Sequence, residues 1–152
     1  MKIQIIAVGR LKDRMVREKI ESYFKKLGKG LEIEFKEVPD GKARDSEEVK
    51  KQEAIKILGM VSAKDFVVAL DERGKEANSR EFARLLDKLI HQSWNLTFII
   101  GGAYGLDQSV RERADLVMAL SRLTFPHELA RLLLAEQIFR AFSIIKGNPY
   151  HH

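Results

Sequence analysis

A chain of 152 residues, 45% hydrophobic and 32% charged, has the size and composition of one globular domain, and folding at that length buries about 70% of the unfolded surface. The absence of cysteine excludes disulfides, thiolate metal sites and cysteine nucleophiles. No apolar run reaches the ~18 residues of a membrane span, and Met1 to Val8 leads straight into charged sequence rather than resembling a leader, so a cytoplasmic protein is expected. The net charge of +5 gathers between Arg10 and Lys29, where eight basic residues face three acidic ones. That clustering suits a polyanion such as nucleic acid, or is simply a solvated helix face.

In chain order, Lys2 to Val8 reads as a buried strand. Leu11, Met15, Ile20, Phe24 and Leu27 recur at near-helical spacing until Gly28 and Gly30 end the run. Leu31, Ile33 and Phe35 alternate with charged residues as in a strand with one wet face, broken by Pro39-Asp40-Gly41. Asp45 with Glu48 predicts a capping box and a helix to about Leu58. Asp65 to Asp71 is a short apolar strand, and Asn78 with Glu81 predicts a second capping box. Phe82, Leu85, Leu86, Leu89 and Ile90 then mark the clearest amphipathic helix. Asn95 to Ile100 is a strand, Asp107 caps a short helix to about Arg113, and Leu116 to Leu120 is the last strand. A final helix runs from about His127 to Ile145.

Strict alternation of strand and helix predicts an α/β domain over residues 1–152, with a mostly parallel sheet and helices on both faces. Ligands of such sheets sit outside the carboxyl ends of the strands. The loops that matter are then Asp71 to Lys75, Gly101 to Gly105 and Ser121 to Pro126. The last helix is apolar around its circumference, with Leu129, Leu132, Leu133, Leu134, Ile138, Phe139 and Phe142 on several sides. A helix of that kind must be covered nearly everywhere, which points to a homodimer.

Gly101-Gly102-Ala103-Tyr104-Gly105 follows a strand and permits close approach of backbone to a ligand, although it lacks dinucleotide and phosphate-loop spacing. His127 either caps or is buried at the start of the last helix, or lines the pocket. Arg131, Glu136 and Arg140 interrupt the apolar helix, either as ion pairs or with the arginines facing an anionic substrate. His151 and His152 are adjacent and lack further ligands, so no metal is expected.

These pieces occur in a telling order: Ile6-Ala7-Val8-Gly9, Glu37-Val38-Pro39, Leu70-Asp71 with Gly74-Lys75, Ile100-Gly101-Gly102 with Gly105-Leu106, Leu123-Thr124-Phe125-Pro126-His127, Glu136-Gln137, Arg140-Ala141-Phe142 and Tyr150-His151. The ordered set, across essentially the whole chain, resembles the ribosomal RNA large-subunit methyltransferase H family of the SPOUT class. The resemblance implies a C-terminal trefoil knot, a homodimer, and S-adenosylmethionine as cofactor. It also implies methylation of N3 of a pseudouridine in helix 69 of 23S rRNA on the assembled ribosome. It carries cofactor contact onto Leu70, Gly101, Leu120, Ser121, Arg122, Leu123, Thr124 and Phe125. The end departs from the family pattern at Asn148, where many members carry histidine, and at His152, where a basic residue is common.

Uracil-type N3 is normally protonated, so its proton must be accepted during transfer. His151 is the expected base or relay, with Tyr150 holding the substrate base and the tail of one subunit closing over its partner's pocket; His127 is the rival base. Arg131 and Arg140 are expected to meet substrate phosphate, with Lys12, Arg14 and Arg17 extending the basic surface. A non-enzymatic ribosome-associated RNA binder would explain the charge but leaves the strand-end pocket unused, and a flavodoxin-like or nucleotide-binding enzyme fits the alternation equally well but finds no phosphate loop in the sequence.

Overall fold

Apolar residues that alternate along the strands decide the architecture, because each face of the sheet needs its own cover. The computed structural model describes every residue except Ser93. Its strands are β1 (Lys2–Val8), β2 (Glu32–Val38), β3 (Asp65–Glu76), β4 (Asn95–Ile100) and β5 (Leu116–Ala119). The helices are α1 (Arg14–Lys26), α2 (Ser46–Gly59), α3 (Ser79–His91), α4 (Gln108–Arg113) and α5 (His127–Ile145). The strands form one sheet in the order β2-β1-β4-β3-β5, and all named pairs are parallel. The α/β architecture is therefore as the sequence predicts.

On one face Ile3, Ile5, Val68, Phe98 and Ile100 pack with Phe82 and Leu86 of α3 and with Leu134, Ile138 and Phe142 of α5. On the other, Ile6, Val8, Val67, Ala69 and Ile99 pack with Ala54 and Ile57 of α2 and Val110 of α4. Adjacent residues of β1 and β4 thus serve opposite cores, which is why these central strands read as mainly apolar runs, interrupted by Gln4 and Thr97.

Helix α5 lies between α1 and α3. Leu134, Ala135, Ile138 and Ala141 are wholly buried within this one chain. Its apolar circumference is therefore covered largely by its own neighbours, and composition alone does not demand a second subunit. Leu129 stays exposed and Leu133 half-buried on the outward side.

Two local expectations change. Asp45 caps α2 through the Glu47 amide, without the reciprocal bond from Glu48, whereas Asn78 and Glu81 form the full box at α3. Strand β3 runs five residues past Asp71: after an irregularity beyond Leu70, Lys75 and Glu76 resume pairing with Met118 and Ala119. Gly74 makes this possible, since a Cβ there would lie 2.8 Å from Met118 backbone atoms.

Candidate functional site

The carboxyl ends of β3, β4 and β5 open into a cavity of about 810 Å³. Its wall comprises Leu70 to Arg73, Ile100 to Gly105, Leu120, Ser121, and Leu123 to His127, with Lys50 and Ala130 at its edges. The three loops singled out from the sequence therefore meet at one place. Leu70, Gly101, Leu120, Ser121, Leu123, Thr124, Phe125 and His127 all border it. Arg122 does not: it points to the neighbouring surface, 3.9 Å from Glu76.

The glycine turn is built by close packing. A Cβ on Gly101 would meet Gly105 backbone at 2.9 Å, and Gly105 adopts φ +83° to close the turn, where it pairs with Gly102. Behind the turn, a Cβ on Gly102 would lie 3.2 Å from both carboxylate oxygens of Glu53, a buried side chain of α2. Glu53 accepts from the Gly41 amide at 3.0 Å, and burial raises its pKa above the usual carboxylate range. Glu53 was not singled out from the sequence, where it falls inside the helix predicted up to about Leu58. Its spacing of four from both Val49 and Ile57, buried residues of the same helix, is the available signal.

Along the β3 side, Asp71 is nearly buried between two arginines. Arg73 bonds it through backbone and side chain, and Arg111 reaches it at 3.3 Å. The bond from the Arg73 side chain, above all, holds the Asp71 carboxyl below its ordinary pKa. The Thr124 hydroxyl donates to Glu72 at 2.7 Å, and the Ser121 hydroxyl accepts from the Leu123 amide, so the β5 loop is tied to β3 and to itself. The cavity thus combines apolar walls, glycine backbone and anchored acceptors. Tyr104 stands exposed at its rim.

Arg131 overturns an expectation. Its side chain is wholly inaccessible, and its Nη2 donates to the Val8 and Gly9 carbonyls at 2.8 and 2.7 Å. The same nitrogen lies 3.4 Å from His127 Nδ1, and Nη1 lies 3.4 Å from Glu37. A guanidinium so enclosed does not meet substrate phosphate; it joins the ends of β1 and β2 to the start of α5.

The tail forms a second constellation outside the cavity. The Tyr150 ring packs edge-on against Phe139 at 4.7 Å, with the Arg140 guanidinium 4.9 Å from its centroid. Its hydroxyl donates to Glu136 at 3.3 Å, and Arg140 is itself bonded to Glu136. Arg140 Nη1 lies 3.3 Å from His151 Nδ1. Burial against α5, with Tyr23 and Glu136 adding to it, pushes the Tyr150 hydroxyl up to about 12, leaving it a neutral donor. Within one chain neither Tyr150 nor His151 borders the cavity.

On α1, Arg14 is exposed beside Glu18, whereas Arg17 turns back to the Leu11 carbonyl. Among the described residues no three His, Cys, Asp or Glu side chains are placed to hold a metal, and no helix is long and apolar enough to cross a membrane.

The family model "Predicted SPOUT methyltransferase" matches residues 1–151. The chain is 45% identical to Ribosomal RNA large subunit methyltransferase H of Ruminiclostridium cellulolyticum, over 99% of each protein. It is 44% identical to the protein of that name from Carboxydothermus hydrogenoformans and 42% to that from Streptococcus suis, again over 99% of each. A crystal structure of a methylase-family protein from Neisseria gonorrhoeae superposes with a TM-score of 0.52 at 13% identity, covering 99% of this chain and 85% of that one, a likeness of fold.

Proposed function

The chain belongs to the SPOUT methyltransferase family, and from that premise we propose that it transfers a methyl group from S-adenosylmethionine to large-subunit ribosomal RNA, at N3 of a pseudouridine in helix 69 of 23S rRNA on the assembled ribosome. The observation that carries this is the cavity at the carboxyl ends of β3, β4 and β5, lined by the loops to which the resemblance assigns the cofactor. Relatives named as rRNA large-subunit methyltransferases over the full chain supply the substrate class.

The residues present fit this cofactor. Leu70, Ile100, Leu120 and Phe125 offer apolar surface to an adenine ring, the Gly101 to Gly105 backbone allows close approach, and Asp71, Glu72, Ser121 and Thr124 bring polar groups for the ribose and amino acid parts. When bound, the cofactor supplies an activated methyl on a sulfonium. The chain's own part is to fix the geometry of an in-line displacement and to manage the proton on N3.

Because Tyr150 and His151 lie away from their own cavity, the proposal includes a homodimer in which the tail of one subunit borders the cavity of the other, together with the C-terminal knot of the family. His151 acts there as base or relay, and Tyr150 as a neutral hydrogen-bonding and stacking partner of the target base. With Nδ1 facing Arg140, His151 must part from that guanidinium to take a proton, and Arg140, still held by Glu136, is then free to meet phosphate.

Calorimetric titration with S-adenosylmethionine tests the cofactor assignment. Binding by the wild type and its loss in Gly101→Leu, whose side chain strikes Gly105, are expected. Absence of wild-type binding, repeated with ribosomes present, would favour a plain RNA-binding protein. Mass-spectrometric mapping of rRNA methylated in vitro then identifies the target nucleotide.

A further inference from the structure

Two histidines compete for the proton-accepting role, and each presents Nδ1 to an arginine. The arginines differ. Arg140 is partly exposed, and its contacts with Glu136, His151 and Tyr150 lie on α5 and the tail, while Arg131 is wholly buried and fixed to two backbone carbonyls and Glu37. A guanidinium carries only donors and is not deprotonated in proteins. An N–H on His127 Nδ1 would therefore point at a group with no lone pair to receive it. The neutral ring is left with its hydrogen on Nε2, for which the described residues provide no hydrogen-bond partner. His127 also borders the cavity, and a Cβ at Gly9 would lie 3.2 Å from its Cε1, so only glycine leaves the ring its place there.

We propose that Arg131 is a positioning residue that locks His127 in the Nε2–H tautomer, making His127 a hydrogen-bond donor toward an acceptor oxygen of a bound substrate rather than the base that takes the N3 proton. The inference rests on the methyltransferase reading for the contents of the cavity, but the tautomer itself does not. Accepting a proton at Nδ1 would set an imidazolium against a guanidinium that has nowhere to move; accepting one at Nε2 is barred because that nitrogen already carries hydrogen. His151, whose arginine is partly exposed, lacks this lock. The acceptor is a carboxylate or carbonyl oxygen, supplied by the methyl donor's amino acid part or by the RNA.

Long-range 15N–1H NMR of the full chain reads the tautomer directly. The expected wild-type pattern is protonated Nε2 and bare Nδ1 on His127, shifting toward a mixture in Arg131→Met. Should that variant fail to fold, Arg131→Lys, which keeps a buried cation without the fork, provides the comparison. A wild-type ring protonated on Nδ1 overturns the proposal. In single-turnover methylation of ribosomes, His127→Ala is expected to lose about tenfold, as for one hydrogen bond to a charged or strongly polar acceptor. His127→Gln, which restores an N–H near Nε2 but cannot act as a base, recovers part of that loss. Equal losses of ~100-fold or more in both variants would show general-base work and overturn the proposal. No loss in either overturns it too. A weakened S-adenosylmethionine titration in His127→Ala identifies the donor's carboxylate as the acceptor, and an unchanged titration with raised ribosome KM identifies an RNA oxygen. Failure of wild type to bind S-adenosylmethionine at all would instead remove the functional reading while leaving the NMR result standing.

Discussion

The two ends of the sheet handle polar side chains in opposite ways. At the amino ends, Thr97 donates to Asp65, Asp65 accepts from the Ser62 amide, Gln4 donates to the Met60 carbonyl, and Asp115 accepts from the Val67 amide. Arg113 closes this end by donating to the Ser62 and Asp65 carbonyls. At the carboxyl ends, Ser121, Thr124, Glu72 and His127 are tied just enough to hold their loops, and they still border an open cavity. Buried polar groups must find partners. One end finds them within the chain and gains rigidity; the other keeps capacity for a ligand. The difference separates residues whose loss should cost stability from residues whose loss should cost function.

The largest expected effect is at the open end. Gly101→Leu displaces the glycine turn, and methylation should fall roughly 100-fold or more, since misplacing a reacting group by about 1 Å has that consequence; single-turnover assays measure it. At the closed end, Asp65→Ala strands the Thr97 hydroxyl and the Ser62 amide, and denaturant unfolding should show a loss of about 2 kcal/mol. Calorimetric affinity for S-adenosylmethionine should not change in that variant. If affinity falls as much as stability, the two ends are not independent. Thr124→Val removes the tie to Glu72 and should weaken cofactor binding about threefold to tenfold, with stability altered by less than ~1 kcal/mol.

The smallest effect concerns Glu53, beneath the glycine turn. Its folded pKa is raised, so between the unfolded value near ~4.3 and the folded value the native state binds the extra proton. Its contribution therefore favours folding below the unfolded pKa and is lost as pH rises through the folded one. Glu53→Gln keeps an acceptor for the Gly41 amide, and should raise the melting temperature at pH 7 but bring little or no gain near pH 4. An equal gain at both pH values would refute a buried, proton-favouring carboxylate.

Much of this was legible from residue order. Strand and helix alternation gave the parallel sheet, and the loops after β3, β4 and β5 could be named as cavity-forming because ligands collect at those ends. What escaped depended on distant neighbours. Asp71 to Lys75 is polar enough to read as a loop, yet Gly74 lets the chain rejoin β5. Arg131 carries the residue type of a phosphate ligand, and only its position beneath β1 and β2 makes it a buried brace. Arg122 lies in the same run as the cavity residues but turns the other way, a side-chain direction that an irregular loop does not encode by period.

The placement of α5 between α1 and α3 has a consequence for biogenesis. Leu134, Ile138 and Phe142 cover Phe82, Leu86, Ile5 and Phe98, all of which are translated earlier. A nascent chain that ends before His127 therefore leaves that apolar sheet face uncovered, and one that ends before Leu116 also leaves one edge of β3 unpaired. Both are surfaces on which unfinished chains adhere to one another. The last helix therefore completes this core only when synthesis of the chain is nearly finished.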